Sequence, residues 1–250
     1  MIIKNKKELE ILREGGKRLA AVLNKAANNA IEGVTTRELN DLAESLILKS
    51  GGAPSFKGYK AQGAPHPYPD ALCVSINEEV VHGLPAGRKL KNGDIVGLDI
   101  GMWYEGLCTD TALTVLVGGG KNKLIDATKK SLELGIAEVR AGAHAGDIGF
   151  AIQKYLKSEG FGVVRELVGH GVGRAVHEDP EIPNWGKRGV GPELVENMII
   201  ALEPMATEGG YKVKLSKDGW TWLTCDGSRS AHFEHTLVVT KTGSEVLTEL

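Results

Sequence analysis

The stretch Ile95-Val-Gly-Leu-Asp99 recurs in the second half of the chain as Ile199-Ile-Ala-Leu-Glu203, an apolar run that ends on a carboxylate. The run Asp110-Thr-Ala-Leu-Thr-Val115 likewise returns as Glu234-His-Thr-Leu-Val-Val239. Each half therefore places two acidic residues in segments that are typical of buried β-strands. Buried carboxylates are costly unless they are paired or bind a cation. We interpret the four as parts of one shared site, in which the like charges need a cation.

Three histidines accompany these carboxylates, and two of them also repeat. Val81-His82-Gly-Leu-Pro85 matches Val176-His177-Glu-Asp-Pro180, so each half carries a histidine before a turn-like segment. Such loops would place both imidazoles over the site, where they suit hydrogen bonding and stabilisation of transition-state charge. The third, His170, lies between glycines that let the backbone approach a ligand, so it is a candidate neutral imidazole ligand. No role is assigned to the remaining histidines, which are His66, His144, His232 and His235.

Composition describes an ordinary globular protein. The 250 residues are 42% hydrophobic and 25% charged, with a net charge of -2. This balance gives no sign of direct nucleic-acid or membrane binding, and no apolar run approaches the roughly 18 residues of a spanning helix. The opening residues lack the apolar region of a signal peptide. The sparse cysteines Cys73, Cys108 and Cys225 fit neither a zinc motif nor a disulfide framework, so we expect a cytoplasmic protein.

Two pairs of predicted helices frame the strands. The opening segment and residues 35–49 form the first pair, with Thr35 or Thr36 as the N-cap of the second helix. Residues 124–140 and 145–158 form the second pair. Glycines flank the second helix of each pair at the same spacing, at Gly33 and Gly51 and again at Gly142 and Gly160. The repeat therefore includes the helices as well as the strands.

The two halves are separated by Gly118-Gly119-Gly120, which has turn chemistry and no periodicity. We predict a single catalytic domain, residues 1–250, made of two pseudo-equivalent halves at about 1–117 and 121–250. Either half alone would leave its acidic sheet face exposed. The repeat is too long for a solenoid.

A β-hairpin is predicted from residues 95–103 and 107–116, turning near Glu105-Gly106. With a two-residue turn, Asp110 faces Gly101 and is a diagonal neighbour of Asp99 on the same face of the sheet. Diagonal partners lie roughly 7–8 Å apart at the backbone, so both carboxylates can converge on metal ions about 3.5–4 Å apart. A turn one residue longer or shorter would move one aspartate to the other face.

The donor set of this site is rich in carboxylates, with one imidazole and no thiolate. That chemistry favours Mn²⁺, Fe²⁺ or Co²⁺, with Zn²⁺ also compatible, over a closed structural zinc site. Two such ions can bridge a hydroxide and polarise a carbonyl, which is equipment for hydrolysis.

Several stretches together resemble the type I methionine aminopeptidases, which have the pita-bread fold. The resemblance covers nearly the whole chain, and the ordered set of Asp, Asp, His, Glu and Glu is highly specific. It implies an α+β fold in which a pseudo-twofold repeat of helices packs on a curved antiparallel sheet. The matching stretches are VSINEEVVHGLP, DIVGLDIG, CTDTALT, VGHGVGRAVHEDP, ALEPMA and EHTLVVT.

The resemblance also implies a role for each matching residue. His82 and His177 would contact the substrate, and Glu203 would act as general base on the metal-bound water. A bridging metal-bound hydroxide would attack the scissile carbonyl and release the initiator methionine when the next residue is small. The implied cofactor is two divalent metal ions per chain, Co²⁺, Mn²⁺ or Fe²⁺, with Zn²⁺ as a further candidate. The implied metal ligands are Asp99, Asp110, His170, Glu203 and Glu234.

The methionine pocket implied by the resemblance is only partly kept. Tyr68, Cys73 and Trp220 match pocket positions of the family. Pro65 stands where an aromatic residue is common, and Val176 replaces a larger side chain, so the side-chain selectivity is expected to be relaxed. The expected partners are the amino termini of nascent polypeptides and the ribosome surface, and we expect a monomer.

Three alternatives compete with this interpretation. Proline-specific aminopeptidases and prolidases resemble the same fold and metal set, but they usually carry a further amino-terminal domain, which we do not expect in 250 residues. A binding protein that keeps the fold without catalysis would lose metal ligands, whereas all five positions are filled here. A metal-storage or structural role leaves the His82 and His177 loops without a purpose.

Overall fold

The computed structural model describes residues 1–61 and 63–250. Its helices are α1 (Lys6–Asn28), α2 (Thr36–Lys49), α3 (Lys123–Ile136) and α4 (Ala145–Ser158). The strands of the first half are β1 (Ala53–Pro54), β2 (Leu72–Ile76), β3 (Glu79–Val81), β4 (Ile95–Tyr104) and β5 (Leu107–Leu116). Those of the second half are β6 (Gly162–Val163), β7 (Gly169–Gly171), β8 (Glu178–Ile182), β9 (Ile199–Leu202), β10 (Met205–Thr207), β11 (Val213–Leu215), β12 (Trp222–Thr224), β13 (Ser230–His232), β14 (Glu234–Val239) and β15 (Ser244–Val246).

The helix pairs repeat as the glycine spacing predicts. Helix α2 begins with a capping box, in which the Thr35 side chain accepts from the backbone N–H of Glu38 and the Glu38 carboxylate accepts from that of Thr35. Helix α4 has the predicted bounds, but α3 ends at Ile136 and not at residue 140. The chain leaves the helix in turns, in which Val139 N–H donates to Ile136 O at 3.0 Å, and Ala141 N–H then donates to Thr240 O at 3.0 Å, which ties the connection to the sheet.

Left-handed turns flank the second helix of each pair. Gly33 and Gly142 precede α2 and α4 with φ of 88° and 81°, and Gly51 and Gly160 follow them with φ of 82° and 88°. Glycine adopts this conformation without the steric penalty of other residues. The sequence repeat is therefore a repeat of backbone conformation.

One large antiparallel sheet joins the two halves of the chain. Its strands follow the order β1-β4-β5-β14-β9-β7-β8, while β2 also pairs with β4 and β15 with β14. The first half meets the second where Ala112 of β5 pairs with Glu234 of β14. Two smaller sheets, β13-β10-β6 and β11-β12-β3, lie beside it. The predicted division of one domain into two halves stays a prediction.

The β4–β5 hairpin has the predicted register. Tyr104 pairs with Leu107 and Gly101 pairs with Asp110, so the turn consists of Glu105 and Gly106 alone. Both turn residues have positive φ, 45° and 83°, as in the tight turns that match strand twist. Asp99 and Asp110 consequently share one face of the sheet.

The helices cover the opposite face. Leu98 and Ile100, which flank Asp99 in β4, pack with α1 and α2 in one apolar cluster. Leu237 and Val239 of β14 belong to a second cluster with α3 and α4. Full burial of such a side chain stabilises a fold by about 1.5–3 kcal/mol, so these rows fix which way each strand faces. Asp99 and Glu234 alternate with these apolar residues along their strands, so their carboxylates point away from the helices. None of the helices in the described chain has the length and apolar character needed to cross a bilayer.

Candidate metal centre

The candidate ligands open onto one cavity on the sheet face that the helices leave free. The cavity encloses about 510 Å³, including its open mouth. It brings together every residue that the sequence predicts for metal and substrate binding. The lining residues include Asp99, Asp110, His170, Glu203, Glu234, His82, His177, Tyr68, Cys73 and Trp220.

The carboxylates are placed by a row that runs across the sheet. Asp99 of β4 pairs with Ala112 of β5, and Ala112 pairs in turn with Glu234 of β14. Because the central residue of this row has only a methyl group, Asp99 and Glu234 can approach one another above it. Asp110 lies two residues along β5 on the same face, and Glu203 directly follows β9.

Threonine hydroxyls bind the backbone beneath this row. Thr236 accepts from the backbone N–H of Asp110 at 2.9 Å and donates to Asp110 O at 2.7 Å. Thr111 donates to Glu234 O at 2.8 Å. These bonds satisfy buried main-chain groups without using the side-chain carboxylates, which remain free to bind a ligand in the cavity.

The buried carboxylates have unmatched oxygens, which is the sign that a cation belongs here. Within residues 1–61 and 63–250, Asp99 Oδ1, Asp110 Oδ1 and Glu234 Oε1 are buried and have no hydrogen-bond partner. Asp110, His170 and Glu234 each offer a ligand atom, and these atoms all lie within 4.8 Å of one another. The donor set therefore fits a divalent metal ion.

Electrostatics support the same conclusion. Burial raises the pKa of Asp99, and burial together with repulsion from neighbouring carboxylates raises the pKa of Asp110, Glu203 and Glu234. Several buried like charges cannot all ionise without a counter-charge. A bound cation would supply that charge and bring these carboxyl groups to their ionised form.

His170 is prepared as a neutral ligand. Its Nδ1 lies 2.8 Å from Gly171 O, which can only accept, so Nδ1 carries the proton and Nε2 keeps its lone pair. Nε2 lies 3.6 Å from Glu203 Oε1. Burial lowers the pKa of His170 to about 3, so the imidazole is neutral at physiological pH.

His82 reaches the cavity through a strained backbone position. Its φ is 58°, the left-handed region that non-glycine residues rarely adopt and that is concentrated at functional sites. The next residue, Gly83, donates its backbone N–H to Ser75 Oγ at 3.1 Å, and a Cβ at Gly83 would collide with the backbone of β2. Burial lowers the pKa of His82 to about 4.

His177 stands at the mouth of the cavity beside His170. The ring centroids of the two histidines are 4.3 Å apart. His177 is exposed on its solvent side, while the protein packed around the ring lowers its pKa. The preceding loop is held by Glu178, whose Oε1 accepts from the backbone N–H groups of Arg174 and Ala175 at 2.6 and 2.9 Å.

The apolar end of the cavity is built from Tyr68, Cys73 and Trp220. Tyr68 and Trp220 meet edge to face with ring centroids 5.2 Å apart. The Tyr68 hydroxyl donates to Gly83 O at 2.9 Å, so its polar end is satisfied. Pro65 packs against Gly219, directly before Trp220, and Val176 is buried in the same apolar cluster as Tyr68, Cys73 and Trp220.

Some residues of the cavity carry little signal in the sequence. Phe56 and Tyr59 line it from a loop without periodicity. No motif of the sequence assigns a role to His232, which is not a lining residue but is buried beside the site. Its Nε2 lies 3.6 Å from Glu203 Oε2 and has no hydrogen-bond partner in the described ranges. Its place two residues before Glu234, on the same face, was the available signal. His235 points the other way, with Nδ1 3.0 Å from Thr248 Oγ1.

The fold and this centre define a metal-dependent peptidase. The chain belongs to metallopeptidase family M24, whose family model matches residues 10–241. Methionine aminopeptidase 1 of Bacillus subtilis strain 168 is 43% identical over 253 residues, which span 100% of both chains. The crystal structure of methionine aminopeptidase from Thermotoga maritima superposes with a TM-score of 0.94, at 43% identity and full coverage of both chains.

A more distant likeness shows the fold alone. The prolidase from Pyrococcus furiosus has a TM-score of 0.76 at 22% identity, and the match covers 66% of that chain. The predicted pita-bread fold and the predicted family are confirmed by these comparisons, and with them the prediction of a hydrolytic enzyme.

Proposed function

We propose that this chain removes the amino-terminal methionine from polypeptides whose second residue is small. The main observation behind the proposal is that one cavity contains both the candidate metal centre and the apolar pocket of Tyr68, Cys73 and Trp220. A thioether packs well against aromatic rings, with which its sulfur makes favourable contacts. A free amine beside four carboxylates would be held by charge, which explains action at an unblocked terminus. The high identity to proteins named methionine aminopeptidase supports the proposal.

The proposed ligands of two divalent ions are Asp99, Asp110, His170, Glu203 and Glu234. When bound, the ions would supply Lewis-acid polarisation of the scissile carbonyl and a water nucleophile at neutral pH. The donor set suits Mn²⁺, Fe²⁺, Co²⁺ or Zn²⁺. Glu203 is the proposed general base, which takes a proton from the attacking water and returns it to the leaving amine.

His82 and His177 are the proposed substrate contacts. Both line the cavity of the candidate metal centre, and both remain neutral because the surrounding protein lowers their pKa values. A neutral imidazole that carries its proton toward the cavity can donate to the carbonyl oxygen, where negative charge develops in the transition state.

Replacement of His177 by alanine should therefore lower kcat roughly 10²-fold, as removal of one transition-state donor does. Metal content, measured by elemental analysis, should stay the same because His177 is not among the proposed ligands. His144→Ala is the matched control, since this histidine precedes α4 outside the cavity. Loss of metal in proportion to activity would instead make His177 a ligand.

The cellular setting is part of the same proposal. An initiator methionine is present on newly made chains, so the enzyme would act in the cytoplasm on polypeptides that emerge from the ribosome. We propose a monomer, since one chain supplies all five proposed ligands.

Peptides that differ only at the amino terminus test the specificity. We expect Met-Ala-Ser peptides to be cleaved, and acetylated Met-Ala-Ser to resist because its terminus is uncharged. Leucine and norleucine termini should be cleaved more slowly, by about 10- to 200-fold at most, because one methylene of difference is worth about 1–3 kcal/mol. Cleavage would be measured as kcat/KM with added Mn²⁺ or Co²⁺. Fast cleavage of X-Pro peptides without cleavage of Met-Ala would assign the chain to the proline-specific branch.

A further inference from the structure

A hydrogen bond joins Tyr59 to His177 at the mouth of the cavity. The Tyr59 hydroxyl oxygen lies 2.8 Å from His177 Nδ1, and the ring centroids are 5.2 Å apart. Tyr59 is half-buried, lines the cavity and has no place in the chemistry described so far. The contact spans 118 positions of sequence, so the fold creates it.

The backbone holds Tyr59 firmly at this position. Its N–H donates to Phe56 O at 2.9 Å, and its carbonyl accepts from the N–H of Tyr68 at 2.8 Å. The carbonyl of Tyr68 accepts in return from Gly58 N at 2.8 Å. Tyr68 is itself anchored, because its hydroxyl donates to Gly83 O beside His82. Tyr59 is therefore part of a built support and not a loop side chain that meets His177 by chance.

The direction of the hydrogen bond follows from the partners available. Burial raises the pKa of Tyr59, so the phenol keeps its proton at physiological pH. His177 Nδ1 is the only side-chain or backbone partner of this hydroxyl in the part of the chain that the structure describes. If Nδ1 carried the imidazole proton, the phenol hydrogen would be left without a protein acceptor. A phenol that donates to Nδ1 satisfies both groups within the protein, and Nδ1 then presents its lone pair.

This direction decides what His177 offers to a substrate. A neutral imidazole carries one N–H, and the nitrogen that bears it is set by the hydrogen bond at the other nitrogen. With Nδ1 accepting, the proton resides on Nε2. A carbonyl oxygen that gains negative charge needs a donor there, and a bare lone pair would repel it.

We propose that Tyr59 is a positioning residue that holds His177 in the tautomer with its proton on Nε2, so that this histidine donates to the substrate carbonyl. The inference rests on the proposed peptidase function, since it gives His177 a substrate to act on. Tyr59 makes no bond to the reacting atoms and works through His177 alone.

The variant Tyr59→Phe tests this, because it removes the hydroxyl and keeps the ring. We expect kcat to fall roughly tenfold, the lower end of what outer partners of a functional histidine contribute. KM should change less than about twofold, because the cavity wall is preserved. Tyr155→Phe is the matched control, since Tyr155 packs beside the α3–α4 cluster away from the cavity.

A double-mutant cycle shows whether Tyr59 acts through His177. In a His177→Ala background, Tyr59→Phe should lower kcat less than about twofold further, because the group it positions is gone. A full tenfold loss in that background would mean that Tyr59 acts independently, and the proposal would be wrong. An unchanged kcat for Tyr59→Phe alone would also overturn it.

Nitrogen NMR reads the tautomer without any assay of activity. In Zn²⁺-loaded protein with ¹⁵N-labelled histidine, the His177 signals are those absent from His177→Ala. We expect a proton on Nε2 in the native chain and a mixture of tautomers in Tyr59→Phe. A proton on Nδ1 in the native chain would reject the proposal. If the native chain cleaves no Met-Ala peptide while the NMR result holds, the proposed function fails and the tautomer assignment stands.

Discussion

Replacement of Glu203 by glutamine should lower kcat at least ~10²-fold, the scale of general-base catalysis. Glutamine keeps the size of the side chain but has no oxygen basic enough to take a proton from water. The carboxylate of Glu203 lies between two imidazoles, with His170 Nε2 and His232 Nε2 each 3.6 Å from one of its oxygens. Because glutamine and glutamate have nearly the same shape, the amide should fit the same position.

Metal content must be measured on the same Glu203→Gln sample, because Glu203 is also a proposed ligand. Glu208→Gln is a suitable control, since Glu208 forms an exposed ion pair with Arg229 that is worth about 0–1 kcal/mol. Near-normal turnover in a Glu203→Gln sample with a normal metal content would remove Glu203 from the mechanism.

Removal of metal should abolish activity altogether, and addition of Mn²⁺, Co²⁺ or Fe²⁺ should restore it. The physical reason is that three proposed ligands, Asp99, Asp110 and Glu234, are buried carboxylates that each have an oxygen without a hydrogen-bond partner in the described residues, and such like charges form no productive site on their own. The measurement is peptide cleavage after dialysis against a chelator and again after each ion is added. Full activity in a sample verified to be free of metal would reject the metal centre.

The metal-free protein should also lose stability as the pH rises. The folded pKa values of Asp99, Asp110, Glu203 and Glu234 are raised, so the folded state binds more protons than the unfolded state. The contribution of these carboxyl groups to stability then falls from about pH 4, the unfolded value, upward through the raised folded values. His82 and His170, whose folded pKa values are lowered, contribute in the opposite sense, but only up to the unfolded histidine value of about 6.5. The melting temperature without metal should be higher at pH 5 than at pH 8, and added metal should raise it more at pH 8. A metal-free melting temperature that rises over this range would contradict the assignment.

The sequence predicts which residues gather at the candidate metal centre because strand alternation is a strong constraint. Once Leu98 and Ile100 are assigned to the core, Asp99 must face the other way, and the two-residue turn at Glu105-Gly106 then places Asp110 beside it. The glycine spacing predicts the helix pairs for a similar reason. The turns on either side of α2 and α4 have left-handed backbone, which favours glycine. Strand alternation and the glycine preference of left-handed turns act between residues close in sequence, so both appear as regular patterns in the sequence.

The residues that escape prediction depend on long-range contacts. After α3 the chain is tied to the sheet by the bond from Ala141 N–H to Thr240 O, a contact that the helical pattern through residue 140 does not reveal. Tyr59 meets His177 only after the sheet has formed, so no local pattern marks it. His232 could have been found from its spacing to Glu234, but histidines in strands are common core residues and this one lacks a counterpart in the first half.

The two halves of the large sheet meet where β5 pairs with β14, a boundary called the seam here, and this arrangement affects how the protein opens when metal is lost. In the described residues, strands β5 and β14 pair directly at Thr111–His235 and Ala112–Glu234, so few ladder bonds hold the halves together there beside the threonine hydrogen bonds. The proposed ligands Asp110 and Glu234 lie at this seam, on opposite sides of it. A single ion held by both would close a loop of more than a hundred residues, much as a covalent cross-link does, and would restrict the unfolded chain as well as the folded one if it stayed bound. Loss of the ion would then release the seam first, and amide hydrogen exchange should accelerate along β5 and β14 before it does so in the helices.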